Sequence, residues 1–408
     1  MNAAILTIGN ELLGGAVVDT NSAWLSRQLA SRGVSVTHKA TVGDTREDII
    51  ALLAAWDGQH DMVLITGGLG PTHDDITKAA LCDYFGSGLT FDQRYWDVLV
   101  ERFKKRGLEI PDNNRTQAQL PDLCQPLSNS VGTAMGMKFT SEKTIFISLP
   151  GVPAEMKAIV SEHVLPAIEG QSIAETTLRV TGLTESALST RLEGIISGAK
   201  GVTIGILPSL ISTDLRVQAQ QPGPAGAQAV AALVEKMADL LGNNVFARDA
   251  ETMQETVGAL LKGRGETVAL AESCSGGLAA SWLTDVPGSS DTFLGAVVAY
   301  SDAVKQSALS VSAQTLSRHG AVSEQVALEM AVGVKTAMDS TWGLSTTGIA
   351  GPDGGSAGKP VGLVYIAVAG DKRSEAREYH LVPRRLAHKQ MTAQAALNML
   401  RLELLSHD

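Results

Sequence analysis

Short apolar runs alternate with amphipathic stretches from the start of the chain. Ala3–Ile8 (AAILTI) reads as a buried strand, and Asn21–Ser31 sets Trp24, Leu25 and Leu29 at helical spacing before stopping at Gly33. Val34–Val42 alternates as a half-buried strand does. Asp44 then offers a cap to a helix bearing Ile49, Ile50, Leu52, Leu53 and Trp56, and Met62–Thr66 is a third strand. Strands alternating with helices predict a parallel sheet with right-handed crossovers, an α/β fold.

The pattern changes near residue 170. Thr177–Gly182 is strand-like, Thr184 can cap a helix over Glu185–Ile196, and strands are predicted at Val202–Leu207 and Asp214–Ala219. Gln221–Ala227 (QPGPAGA) has the composition of a linker, and Gln228–Leu241 is an amphipathic helix ended by Gly242. A third pattern starts at Glu251, where Met253, Val257, Leu260 and Leu261 share a helix face. Thr267–Ala271 reads as a buried strand, with a helix opening at LAASWL. A helix over Glu324–Met338, a core strand at Leu363–Gly370 and a closing helix over Arg384–Leu405 follow, the last apolar at Leu386, Ala393, Ala396, Leu397 and Leu400.

Polar residues gather where these elements change. Glu272-Ser273-Cys274-Ser275 crowds the end of a strand, Gly276-Gly277 releases the backbone, and a helix begins; α/β sheets open their ligand crevices at such places. Ser289-Ser290 in a Pro-Gly turn, Tyr300 and Lys305 follow. Serine, tyrosine and lysine can make a nucleophile and its base without histidine, because a lysine in a dry site loses its proton readily. Beyond a further strand, Thr347 precedes a glycine loop with Gly351, Asp353, Gly354 and Gly355, whose N–H groups can approach an anion. Near the start of the chain, Thr66–Asp75 holds Gly67, Gly68, Gly70 and Thr72 ahead of a helix over Ile76–Tyr84, a second place for a phosphate. Asp74 and Asp75 would oppose an anion unless a divalent cation sits between them. Asn10-Glu11 occupies an equivalent strand end. His73 reads as a loop residue, and His319, His380 and His388 are too scattered for a histidine triad.

The 408 residues, 44% apolar and 19% charged, suit two or three globular domains, and a formal net charge of −10 argues against bulk electrostatic wrapping of nucleic acid. Cys82, Cys124 and Cys274 are odd in number and lack a CxxC spacing, so neither a disulfide framework nor a thiolate zinc site is expected; Cys274 reads as a small core residue. The chain enters a core strand at Ala3, without a leader or an apolar run near twenty residues, and the expectation is a soluble cytoplasmic protein.

The motifs AESCSGG, VPGSS, AYSDAVK, HGAVSE and TGIAGPDGG resemble the nicotinamide mononucleotide deamidase domain of the CinA family, and ILTIGNELL, VDTN, TGGLGPTHDD and LPGVPAEM resemble its N-terminal molybdopterin-binding-like domain. The resemblance implies a three-layer α/β/α domain over residues 1–168, a small α+β KH-like domain over 169–250, and an α/β deamidase domain over 251–408. It implies deamidation of nicotinamide mononucleotide by Ser290, Tyr300 and Lys305, with Ser273 and Thr347 nearby. Ser290 is the first choice of nucleophile and Ser273 its competitor. The ribose phosphate would rest on Gly351–Gly355 or on the helix after Ser275-Gly276-Gly277. For the N-terminal domain the resemblance implies cleavage of ADP-ribose with Mg2+ or a similar cation held by Glu11, Asp74 and Asp75; the deamidase half calls for no cofactor. A homodimer is expected. KH domains grip nucleic acid through a GXXG loop among basic residues, and the middle segment has no such loop in a basic setting. Rival expectations are that one half alone is active, that the protein is a competence- or damage-associated nucleic-acid factor, or that it binds molybdopterin.

Overall fold

A computed structural model describes residues 1–72, 74–168 and 173–406; His73 and the expected domain start at residue 169 lie outside the described residues. Two compact units are present, residues 1–174 with 219–227 and residues 175–218 with 228–408.

The first unit runs β1 (Asn2–Ile8), α1 (Asn10–Leu13), α2 (Thr20–Ser31), β2 (Ser35–Val42), α3 (Arg46–Trp56), β3 (Met62–Thr66), α4 (Thr77–Phe85), β4 (Leu89–Phe91), α5 (Gln93–Lys105), β5 (Gln119–Pro121), β6 (Gln125–Leu127), β7 (Gly136–Thr140), β8 (Ile145–Leu149) and α6 (Pro153–Ile159). Six strands make one sheet in the order β2-β1-β3-β8-β7-β6. The first four are parallel, and β7 and β6 join antiparallel. Successive residues of a strand point to opposite faces, so the unbroken apolar run of β1 serves two cores. Ala3 and Ile5 pack with Leu25 and Leu29 of α2 and Met156 and Ile159 of α6, whereas Ala4, Leu6 and Ile8 pack with Ile49 and Leu53 of α3 and Leu81 of α4. The result is the expected three-layer α/β/α arrangement. Asp44 does not cap α3: Thr45 occupies that position, and the Asp44 carboxylate accepts the Asn10 N–H at 3.0 Å, tying two strand ends together.

The middle segment runs β9 (Glu175–Val180), α7 (Glu185–Ser197), β10 (Val202–Pro208), β11 (Thr213–Ala219), α8 (Pro224–Leu241) and β12 (Val245–Arg248), with its strands in the order β10-β11-β9-β12. Thr184 caps α7 through the Ala187 N–H, as its position predicts. The linker reading of Gln221–Ala227 is half corrected, because Pro224 opens α8, a position proline tolerates since its missing N–H has no helical partner.

The last segment runs α9 (Met253–Arg264), β13 (Val268–Glu272), α10 (Leu278–Thr284), β14 (Phe293–Val298), α11 (Asp302–Leu309), α12 (Ala313–His319), α13 (Glu324–Met338), β15 (Trp342–Gly348), β16 (Leu363–Ala369), β17 (Ser374–His380) and α14 (Arg385–Ser406). Its sheet is ordered β14-β13-β15-β16-β17, parallel through the first three strands and antiparallel beyond. Val268 and Leu270 of β13 face α9, α10 and α14, while Ala269 and Ala271 face α11 and α13. Leu386 departs from its predicted core role and is exposed. Among the described residues no helix is long and apolar enough to cross a membrane.

Candidate functional site

Both parallel sheets end in loops that carry chemistry. At the C-terminal end of β13, Glu272 is buried, and its carboxylate accepts the N–H groups of Gly277 (3.0 Å), Ala279 (3.3 Å) and Ala280 (2.8 Å). A carboxylate on these orphan donors complements the helix N-terminus and occupies it. This corrects the expectation that Gly276-Gly277 presents free N–H groups to a substrate phosphate. Ser275 is also corrected as a substrate contact: it is fully buried and hydrogen-bonds Thr346 at 2.7 Å.

Ser273 and Lys305 meet. Lys305 Nζ donates to Ser273 Oγ at 3.3 Å, to Ala299 O at 2.9 Å and to Tyr300 O at 3.4 Å, with Asp302 Oδ1 at 3.8 Å. The Lys305 side chain is 2% exposed. Burial lowers its pKa from the ordinary lysine value, and nearby Asp302 works in the opposite direction. Ser273, Tyr300, Lys305, Thr347 and Arg385 line one cavity of about 190 Å³, closed on another side by Ala321 and Val322. Thr347 lends its hydroxyl to Ala321 O at 2.7 Å, so it holds that wall in place. Tyr300 is 63% exposed at the mouth, where its OH accepts from Arg385 Nη2 at 2.8 Å while Nη1 reaches Gly351 O at 3.2 Å. Cys274 also lines the cavity, but burial pushes its thiol up to about 12, which leaves it protonated and inert at neutral pH.

Ser290 is not among these residues. It lies in the one-turn helix Ser289–Asp291 before β14, whereas Lys305 follows β14. The six residues of β14, at about 3.3 Å each, put roughly 20 Å between its ends. The pairing of Ser290 with Lys305 inside one chain is therefore corrected, and Ser273 is the serine placed beside the lysine. The Gly351–Gly355 loop is brought to the site at its first residue through Arg385; Asp353, Gly354 and Gly355 are exposed beyond the cavity lining. Arg385 is the main residue the sequence reading missed. A cation in the first turn of a helix opposes the helix dipole, and that opposition is the signal that could have marked it.

The first unit opens a larger cleft, about 530 Å³, at the C-terminal ends of β1 and β3. It is lined by Glu11, Asp19, Asp44, Asp74, Asp75 and Glu155, and among the described residues by no lysine, arginine or histidine. Gly67, Gly68 and Gly70 form part of its floor. Their N–H groups are less available than the sequence suggests: Gly67 donates to Leu149 O at 3.1 Å, and Gly70 donates to Asp75 Oδ1 at 2.7 Å. The Thr72 N–H and hydroxyl both go to Asp75 Oδ2. Asp75 thus helps to shape the loop, and the Thr72 N–H and hydroxyl are already engaged, which corrects Thr72 as a free phosphate donor. No group of three or more His, Cys, Asp or Glu side chains among the described residues is placed to hold a metal by itself. In the middle segment two Gly-X-X-Gly tetrads occur, Gly198–Gly201 and Gly223–Gly226, and Lys200 is the sole charged residue in either.

Residues 250–404 match the family model described as "CinA C-terminal domain", residues 4–170 "Probable molybdopterin binding domain", and residues 175–247 "Damage-inducible protein CinA KH domain". The chain is 39% identical to a CinA-like protein of Salinibacter ruber, over 97% of its own length and 98% of the relative's. It is 38% identical to a CinA-like protein of Geotalea daltonii over the full length of both. A crystal structure titled competence/damage inducible protein CihA, from Agrobacterium tumefaciens, is 37% identical, with a TM-score of 0.37 over 38% of this chain and 93% of that one.

Proposed function

The chain belongs to the CinA family, and from that premise we propose that its C-terminal segment is an amidase converting nicotinamide mononucleotide to nicotinic acid mononucleotide and ammonia. The observation that carries this reading is the buried Lys305 ammonium on Ser273 Oγ at the end of β13. A lysine stripped of water gives up its proton at lower pH and can then accept one from the serine. Ser273 attacks the carboxamide carbon, Lys305 takes the hydroxyl proton and passes it to the leaving amine, and ammonia departs to leave an acyl-serine. Water then attacks, with the same lysine as base, and the carboxylate product leaves. Main-chain N–H groups of the turn after Ser273 meet the oxyanion. Arg385 gives the mouth a fixed cation, suited to the substrate phosphate. This chemistry needs no cofactor.

For the N-terminal segment the proposal is metal-dependent hydrolysis of ADP-ribose to AMP and ribose 5-phosphate. A cleft lined by carboxylates without a single lining cation among the described residues repels a bare pyrophosphate. The donor set fits a divalent cation such as Mg2+ that keeps waters and phosphate oxygens as most of its ligands, with Asp74 and Glu11 to hold it. The group would supply charge neutralisation at the phosphates. Asp75 would keep the Gly70–Thr72 loop in shape around them. Both activities place the protein in pyridine-nucleotide salvage, in the cytoplasm.

The test is ammonia release from nicotinamide mononucleotide without added metal. Ser273→Ala and Lys305→Ala should each reduce kcat by on the order of 10³ or more in protein that keeps its circular dichroism. Full activity in Ser273→Ala moves the nucleophile elsewhere. No release by the wild type ends the amidase reading.

A further inference from the structure

One side of the Ser273–Lys305 cavity is irregular main chain. Ala321 and Val322 line it, between the end of α12 at His319 and the start of α13 at Glu324. Such a wall has no ladder to hold it, so its shape depends on where its peptide groups find partners. The carbonyls of His319, Gly320, Ala321 and Val322 all accept from side chains. Ser323 Oγ donates to Gly320 O at 2.9 Å and Thr347 Oγ1 to Ala321 O at 2.7 Å. Lys359 Nζ takes the two ends of the segment, His319 O at 2.5 Å and Val322 O at 2.6 Å.

Lys359 is the distant member of this set, and its loop is built to deliver it. At the neck, the Ile349 N–H donates to Leu363 O and the Gly362 N–H to Ile349 O, each at 2.8 Å. At the tip, Ser356 and Lys359 exchange main-chain bonds of 2.8 and 3.1 Å around Ala357-Gly358. Pro360 follows and biases Lys359 toward extended backbone. The ammonium then lies over Gly320, where a Cβ would stand 3.2 Å from Nζ; Gly320 also has a φ of +71°, so both space and backbone favour glycine there. Both bonds carry the ammonium charge, which makes each roughly twice as strong as a neutral one. Lys359 is not itself among the residues lining the cavity, so what it does there it does through the wall.

We propose that Lys359 is a positioning residue of the amidase site: it fixes the Ala321–Val322 wall where the flat pyridine ring of the substrate rests, so that the carboxamide is turned to Ser273. This rests on the amidase reading. Ala321 and Val322 suit the ring because they bring small apolar side chains to a cavity whose other groups, Ser273, Lys305, Thr347 and Arg385, are polar.

Two measurements on the full chain test this. The first compares ammonia release by wild type and Lys359→Met, which keeps the length of the stem and drops the charge. KM for nicotinamide mononucleotide should rise about tenfold or more with kcat within about threefold, the sign of lost seating. The rising limb of the pH–rate profile should keep its wild-type midpoint, because Lys305 is untouched, and Lys359→Arg should lie closer to wild type than Lys359→Met. An unchanged KM overturns the proposal. So does a displaced pH midpoint, which would put Lys359 in the proton transfer. The second measurement is hydrogen exchange, which reads the wall without activity. In Lys359→Met the N–H groups of Gly320 and Val326, bonded to Leu316 O and Ser323 Oγ, should exchange about tenfold faster or more while β13 exchanges as in wild type. Unchanged exchange at both overturns the clamp. Should Lys359→Met fail to fold, Lys359→Gln, which retains a donor, takes both measurements. A wild type without amidase activity fails the functional reading alone, and exchange then judges whether Lys359 holds the wall.

Discussion

Lys305 shows how one residue's surroundings decide its use. Its charge is held by two main-chain carbonyls and a serine hydroxyl in a nearly dry site, and Asp302 only partly offsets the desolvation. As the base it must be neutral, so kcat for ammonia release should rise with pH and level off above a midpoint lower than the ordinary 10.5. A pH–rate profile with its rising limb centred at or above 10.5 would remove Lys305 from that role. Lys305→Arg should be inactive across the range, since an arginine does not deprotonate in proteins. On the proposed pyrophosphatase reading, Asp74 and Asp75 are neighbours with separate duties. Asp75→Asn should raise the KM for ADP-ribose, because the Gly70–Thr72 loop loses its tie, and leave the Mg2+ concentration for half-maximal rate nearly unchanged. Asp74→Asn should raise that Mg2+ concentration by about tenfold or more, a loss of one charged ligand. Equal Mg2+ dependence in the two variants would erase the distinction. The sequence made Ser273, Lys305 and Asp74 visible as candidates by residue type alone. It could not show which serine the lysine touches, because Ser273 and Ser290 are both small hydroxyls in glycine turns and differ only in which end of a strand they occupy.

At the scale of elements, Glu272 joins β13 to α10. Its carboxylate answers three N–H groups in a buried setting, so Glu272→Gln should lower stability by about 1–3 kcal/mol, read as a lower urea midpoint at unchanged slope. An unchanged midpoint would mean that the cap contributes nothing. The strongly apolar strands and the periodic helix Glu324–Met338 were legible because their burial is written in their period. β17 was not read as a strand, since SEAREYH is the guard of an edge rather than a core sequence, and its pairing with β16 comes from the neighbour. The first turn of α8 was taken for linker because proline and glycine favour both places.

Across the whole C-terminal unit, Arg401 does what no sequence period announces. It lies on α14 with 2% exposure and donates to Asn243 O, to Val245 O at 3.4 Å and to Asn398 Oδ1 at 3.0 Å, binding the last helix to the end of the middle segment. Burial lowers its pKa to about 10, still protonated at neutral pH. Arg401→Ala removes a buried side chain together with its three hydrogen bonds and should cost about 2–4 kcal/mol in urea unfolding. A loss below ~0.5 kcal/mol would show that the segments are held by packing alone. This tie accords with the grouping of residues 175–218 and 228–408 as one unit, where the sequence suggested two domains.

Local physics settled much in advance. Period-2 and period-3.6 apolar patterns predicted the parallel α/β sheets, and polar residues at strand ends marked the loops that line the two cavities, because both depend on residues close along the chain. Tertiary structure alone decided that Glu272 fills the α10 N-terminus, that Asp75 closes its own loop, that Arg385 reaches the cavity mouth from the far end of the segment, and that Lys305 pairs with Ser273 and not Ser290. Each of those outcomes depends on distances between residues on different strands and helices, which spacing along a chain does not encode.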